Sequence, residues 1–276
     1  MKAIQRILLA TDFSSTANNA LIYALELARE IQAALIILNA YQIPAPDYNA
    51  YTVSYHKELY PEQYLRNAER NMETLKHDFL YAPKVAYECI NQPGLAADVI
   101  RNIANEKNAD LIIMGTRKAE GAKAWFGSVT TATVRHSDCP VLVIPEKARF
   151  ARPRRIVLTT YQIQVQHIEL LGVLKSLMDL FGAGLEVLHV HAKEEKPPKE
   201  HARLKEALDD FFGKPIRFAY EEGEPVNEGI QRHLDYSGAD MLAMLPLKHG
   251  LLDQLIHSSQ TRYMIFHTDI PLLALR

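Results

Sequence analysis

Two polar, turn-forming segments carry the residue types that could do chemistry. The first, Ala10-Thr11-Asp12-Phe13-Ser14-Ser15, closes a short apolar run; the second reads GTRKAEGAKAWFGSVTTATVRHSDCP over residues 115–140. Gly115, Gly121 and Gly127 offer φ > 0 and close backbone approach to a ligand. Ser128 is a good helix N-cap. A helix starting near Val129 would present free N–H groups and the positive end of its dipole, an anion site. Thr116 and the cations Arg117, Lys118 and Lys123 stand beside it. Amides and cations at a glycine turn suit a phosphate. Asp12 could accept a hydrogen bond from a ribose hydroxyl or an adenine amine. The plainer alternative is a glycine loop that only turns the chain, with Asp12 capping the first helix. There is no Walker A loop and no G-x-G-x-x-G.

Other constellations point less clearly to chemistry. Eleven histidines invite a metal reading, and His189 and His191 alternate on one face of a strand. His249, His257 and His267 follow later. No HExxH and no Cys/His cluster of zinc spacing is present, so surface or capping roles, and no metal site of protein ligands, are expected. His136-Ser137-Asp138 brings hydrolase residue types together, but no G-x-S-x-G elbow exists. A histidine at a helix end suits the dipole instead. Trp125-Phe126 is expected to pack on the sheet edge.

The elements that must position these residues alternate. RILLAT (6–11), AALIILNA (33–40), KVAYECI (84–90), ADLIIMG (109–115) and PVLVIP (140–145) are strand-length apolar runs. Such runs suit strands buried on both faces. Between them lie helical patterns at 18–31, 65–80 and 95–107, which predict βαβ units around a parallel sheet. The order then repeats: RRIVLTT (154–160), GLEVLHVH (184–191), PIRFAYEEG (215–223), ADMLAML (239–245) and IPLLALR (270–276). Leu9 to Leu158 spans 149 residues, Asp110 to Asp240 spans 130, and Pro140 to Pro271 spans 131. This reads as a duplication, with domains at 1–148 and 152–276 joined by a charged, proline-bearing linker at 146–154. Strand order 3-2-1-4-5 would put a ligand crevice between strands 1 and 4 of a domain, where the order reverses. Insertions follow the second strand of each half, at 41–64 and 192–203. A solvated crossover is the default reading for both.

Composition narrows the classes. The chain has 276 residues, which suggests two domains, and 48% hydrophobic against 23% charged residues, which excludes disordered and coiled-coil compositions. A net charge of −2 gives no global field for nucleic-acid binding. Two cysteines, Cys89 and Cys139, make no disulfide framework, and the proposed order puts them on opposite edges. No signal-peptide core and no apolar stretch of about 18–20 residues is present, so a soluble, cytoplasmic protein is expected.

ILLATDFSSTANNAL, MGTRKAEGAKAWFGSVT and VRHSDCPVLVIP together resemble the universal stress protein family, with two copies filling nearly the whole chain. The resemblance implies an α/β Rossmann-like domain, a five-stranded parallel sheet with helices on both faces. Fifth strands pair antiparallel across a dimer in that family, which here would give an intramolecular pseudo-dimer. Nucleotide-binding members hold ATP with glycine, two residues, glycine, nine residues, glycine and Ser or Thr. By that resemblance Gly115, Gly127 and Ser128 match the motif, Asp12 matches the acid by the adenosine, and Ala40 matches a backbone contact to adenine. Lys118 stands at the middle glycine, and the spacing on to Gly127 is one residue short. In the second copy Tyr161 replaces Asp12, Leu245-Pro246 replace Gly115-Thr116, and Ser258-Ser259 replace Gly127-Ser128. Pro246 removes a donor, and this half is expected to be empty. The expected function is regulatory binding of an adenine nucleotide in the first copy. A nucleotide-free protein-interaction module and an ATP-hydrolysing enzyme are the alternatives. An unidentified protein partner and a homodimer of tandem chains remain open.

Overall fold

The computed structural model describes residues 4–43, 59–81, 84–117, 128–159, 163–191, 201–246 and 253–276. The expected alternation is present throughout. In the first half it runs β1 (Arg6–Thr11), α1 (Ser15–Ile31), β2 (Ala34–Tyr41), α2 (Leu59–Phe79), β3 (Tyr87–Pro93), α3 (Ala96–Glu106), β4 (Leu111–Thr116), α4 (Ser128–His136) and β5 (Val141–Pro145). The second half runs β6 (Arg155–Thr159), a 3-10 turn (Val165–Leu171), α5 (Gly172–Phe181), β7 (Gly184–His191), α6 (His201–Phe212), β8 (Arg217–Glu222), α7 (Val226–Ser237), β9 (Met241–Met244), α8 (Asp253–His267) and β10 (Leu272–Ala274).

The strands form one sheet of ten, in the order β3-β2-β1-β4-β5-β10-β9-β6-β7-β8. All neighbours pair parallel except β5 and β10, which run antiparallel with Val141 opposite Ala274 and Val143 opposite Leu272. The two sets of strands are therefore continuous with each other rather than two separate sheets. Both seam strands are buried along their whole length, because a sheet interior has no solvated face here.

Period-2 alternation explains the near-continuous apolar runs. Ile7, Leu9, Leu35, Ile37, Leu111 and Ile113 face one layer, where α1 brings Ala20, Leu21, Ala24 and Leu27. Leu8, Ile36, Leu38, Ile112 and Met114 face the other, where α3 brings Ile100 and Ile103 and α4 brings Val134. With helices on both faces, the interior residues of the central strands are buried whichever face they point to.

Local chemistry ends the elements. Ser14 caps α1 by accepting from the Ala17 N–H at 3.2 Å, and Gln32 closes it in the left-handed region at φ 57°. Asp110 accepts from the N–H groups of Gln5 and Arg6 at 2.9 and 3.0 Å, and Asp240 does the same for Arg154 and Arg155 at 2.7 and 2.9 Å. The repeated aspartate thus has a physical task in both halves: it holds the entry to β1 and to β6. The segment 146–154 is not a loose linker. Phe150 packs edge-on against Tyr23 of α1, with ring centres 5.2 Å apart, and against Phe181 of α5 at 6.3 Å. The Asn19 amide donates to the carbonyls of Pro145 and Ala148, and Arg152 pairs with Glu30 at 2.6 Å.

Candidate functional site

β4 lies directly beside β1, while β2 lies on the other side of β1. From their carboxyl ends the chain departs to opposite faces: α1 packs on one core layer and α4 on the other. A crevice at such a divergence is where open parallel sheets hold ligands.

The residues expected there fall into three groups. Thr11, Asp12, Ala40, Gly115, Thr116 and Arg117 come together at the carboxyl ends of β1, β2 and β4. Ser128 and Val129 begin α4. Lys118 and Gly127, with Gly121, Lys123, Trp125 and Phe126, lie outside the described residues.

Thr11 is buried and committed to the fold. Its carbonyl accepts from the Asn39 amide at 3.0 Å, and its hydroxyl accepts from the Phe13 N–H at 3.0 Å. Asp12 is exposed, and its Oδ1 accepts from the Ser14 N–H at 3.0 Å. The helix cap is Ser14, so Asp12 does not cap α1; it stabilises the turn in which Phe13 takes φ 62°. Ala40 is half-buried near the end of β2.

Gly115 corrects one expectation. It sits in β4 without a positive φ. A Cβ there would come within 2.6 Å of the Thr16 carbonyl oxygen. Glycine is required because the first turn of α1 lies against β4, whatever else approaches. Val129 is half-buried and packs on the Leu8–Ile112 core layer, which leaves its main chain as the part expected to face a ligand. Helix α4 includes Ser128, one residue earlier than expected.

Two features were not visible in the sequence. The Thr16 and Thr116 hydroxyls are buried, and neither has a hydrogen-bond partner among the described residues. Such groups are costly unless something completes them. Second, Arg117 forms an exposed ion pair, its Nε 3.6 Å from Oε2 of Glu146, just past β5.

The second half differs at the matching place. Tyr161 lies outside the described residues. Leu245 is buried, and the Pro246 carbonyl accepts from Arg276 Nη1 at 2.9 Å. Ser258 and Ser259 lie inside α8, not at its start, so their amides are not those of a free helix N-terminus.

Elsewhere, Ser137 is buried and exchanges hydrogen bonds with the main chain of Cys139, both at 3.0 Å, which uses its hydroxyl in a turn. Neither Cys89 nor Cys139 is in a disulfide, and the Cys139 thiol donates to the Ala109 carbonyl at 3.3 Å. A shallow cavity of about 340 Å³ lies at the amino ends of β1, β2 and β3, opposite the crevice. Its charged lining is engaged internally, with Lys107 on Glu88 at 2.9 Å and Arg6 on the Lys107 carbonyl at 2.8 Å. His233 is enclosed between Glu186 at 3.5 Å and Glu221 at 3.2 Å, with Arg217 on Glu186 at 3.1 Å. This grouping of a buried histidine between two carboxylates, with exposed Arg217 on one of them, was not read from the sequence, where the four residues are scattered. Among the described residues no three His, Cys, Asp or Glu side chains stand ready around a metal ion, and no helix is long and apolar enough to cross a membrane.

Known proteins share this architecture. A crystal structure of a universal stress protein from Archaeoglobus fulgidus aligns over 98% of this chain and 95% of its own, at 16% identity and TM-score 0.71. A functionally unknown protein from Pseudomonas aeruginosa aligns over 99% and 92%, at 18% identity and TM-score 0.61. Both likenesses concern the fold. By sequence, a universal stress protein of Thermus aquaticus is 31% identical over 140 residues, 50% of this chain and 96% of its own. The model of the universal stress protein family matches residues 3–145, just over half of the sequence, and the chain belongs to that family.

Proposed function

We propose that this is a tandem universal stress protein whose first half, residues 1–148, binds an adenine nucleotide, ATP, as a regulatory ligand. The second half, residues 152–276, acts as a degenerate copy and pseudo-dimer partner joined across β5 and β10. The observation that carries the reading is the divergence of the chain at the adjacent ends of β1 and β4, where the buried Thr16 and Thr116 hydroxyls have no hydrogen-bond partner among the described residues. Asp12 would meet the ribose, the main chain at Ala40 the adenine, and Thr116 with the first amides of α4 at Ser128 and Val129 the phosphates. Lys118 and Gly127 belong to the same cradle in this reading. A cytoplasmic setting belongs to the proposal as well.

The chain's single tryptophan, Trp125, lies two residues before Gly127 and offers a direct probe. Titrating the full chain with ATP should give a saturable change in its fluorescence, and Thr116→Val should weaken binding about tenfold by removing one hydrogen bond to a charged group. Adenosine alone should bind more weakly than ATP. An unchanged signal at millimolar ATP, with no competition by ATP for a fluorescent analogue, would overturn the reading.

One observation favours a second reading, an interaction module without nucleotide: Arg117 already has an anionic partner in Glu146. On that reading Glu146→Gln changes nothing in an ATP titration. On the first it frees Arg117 and strengthens binding.

A further inference from the structure

Arg276 follows β10, the strand that meets β5 at the seam. Its main chain is fixed there: the Leu275 N–H donates to the Met244 carbonyl at 2.8 Å, and β10 lies between β9 and β5. Its side chain reaches two carbonyls. Nη1 donates to Pro246, just past β9, at 2.9 Å, and Nη2 donates to Val134 in α4. Arg276 is half-buried, and its Nε is buried without a partner among the described residues. One side chain of the second half thus ties its own strand end to a helix of the first.

We propose that Arg276 is a positioning residue for the phosphate seat of the first half: it holds the carboxyl end of α4 so that the amino end stays at the crevice. This rests on the reading of the first half as an ATP site.

Three physical points support it. First, α4 is 9 residues long, about two and a half turns. Val134 is among its last four residues, whose carbonyls have no partner inside the helix. A guanidinium completes that carbonyl and meets the negative end of the helix dipole. So short a helix moves as one body, and a hold on its last turn sets where the amides of Ser128 and Val129 point.

Second, α4 depends on such ties. Val129, Thr130, Thr131, Thr133 and Val134 are all β-branched, which lowers the helix propensity of the segment. Contacts from outside therefore decide its place.

Third, the hold is one-sided. At the offset that takes Pro140 to Pro271, the first half has Pro145 where the second has Arg276. Proline has no side-chain donor to return the contact to α8. The Pro145 carbonyl instead accepts from the Asn19 amide at 3.1 Å and the Ala148 N–H at 3.0 Å. The second half has Leu245 and Pro246 in place of Gly115 and Thr116, yet it carries the residue that steadies the seat opposite.

The test compares ATP with adenosine on the full chain by titration calorimetry, since only the phosphates would reach α4. Arg276→Met keeps the apolar stem and removes the donors. It should weaken ATP binding by about five- to tenfold, the low end of couplings between separate sites, and leave adenosine binding unchanged. Arg276→Lys keeps the charge and one carbonyl bond, and should fall between Arg276→Met and the parent. Arg232→Met removes a comparable bond, from Arg232 Nη1 to the Glu222 carbonyl at 2.9 Å, far from the seam, and should change neither affinity. Without ligand, the amides of residues 128–136 should exchange with solvent faster in Arg276→Met than in the parent. Melting of each variant establishes that it folds, and Arg276→Lys carries the comparison if Arg276→Met does not. ATP affinity equal to that of the parent in the folded Arg276 variants, or equal losses for ATP and adenosine, would overturn this proposal alone. A parent that binds no ATP would overturn the reading beneath it, and the proposal with it.

Discussion

Gly115 answers two demands at once. The resemblance makes it part of a phosphate cradle, while the fold needs it for α1 to lie on β4. The second demand is measurable without any ligand. Gly115→Ala places a methyl carbon 2.6 Å from a main-chain oxygen, which flexible side chains cannot relieve. It should destabilise the protein by about 1–3 kcal/mol, the usual range for overpacking, as read from chemical denaturation. Asp209 gives a pH-dependent case. Its carboxylate accepts from Lys205 Nζ and from the Ile216 N–H, both at 2.6 Å, and these bonds, led by Lys205, hold its pKa below the ordinary value. A lowered folded pKa means the contribution is complete above the unfolded carboxylate range and is lost as pH falls through the folded value. Asp209→Asn should therefore flatten the acid side of a stability–pH curve below about pH 4 and leave its slope near neutrality unchanged. At this scale the sequence was legible for Asp12, whose place at the end of β1 follows from the apolar run before it. It was not legible for the unpartnered hydroxyls or the Arg117–Glu146 pair, which depend on neighbours brought in from distant strands.

At the scale of elements, hydrophobic period did most of the specifying. Apolar runs with no polar alternation announce strands covered on both faces; all ten expected strands are present, with the outer strands β3 and β8 exposed or half-buried. Helix ends were less legible: α8 begins at Asp253, about one and a half turns before the serines that mark its counterpart, because sequence offset was taken as structural register. The seam strands are the elements on which most depends. Leu142 and Leu273 are opposite one another, both fully buried, in the only antiparallel pairing among the described strands. Leu273→Ala should cost about 2–5 kcal/mol, as large-to-small changes in closed cores do. Because β5 and β10 bind the halves edge to edge, that loss should appear in the melting of both. Calorimetry of the parent should show one transition. Two resolved transitions in the parent, with only the later one moved by Leu273→Ala, would contradict a shared seam.

Over the whole molecule, the proposed duplication would give different tasks to two similar sets of strands. The second set of strands and the matching aspartates Asp110 and Asp240 preserve the scaffold, whereas the positions proposed to meet a ligand diverge. The first half keeps glycine at the end of β4 and a helix that starts at Ser128. The second half puts Leu245 and Pro246 there and adds His233 enclosed between Glu186 and Glu221. Phe150 and the ties of Asn19 and Arg152 make the connection part of the packed body, so a change in one half has a route to the other. Whether this body responds to a nucleotide is the question that everything else serves. Titration calorimetry of the full chain with ATP, in the parent and in Gly127→Val, addresses it most directly. Saturable binding of one ATP per chain, weakened strongly by the valine, is expected; an absence of heat up to millimolar ATP, or equal binding by both proteins, would contradict a phosphate seat in the first half.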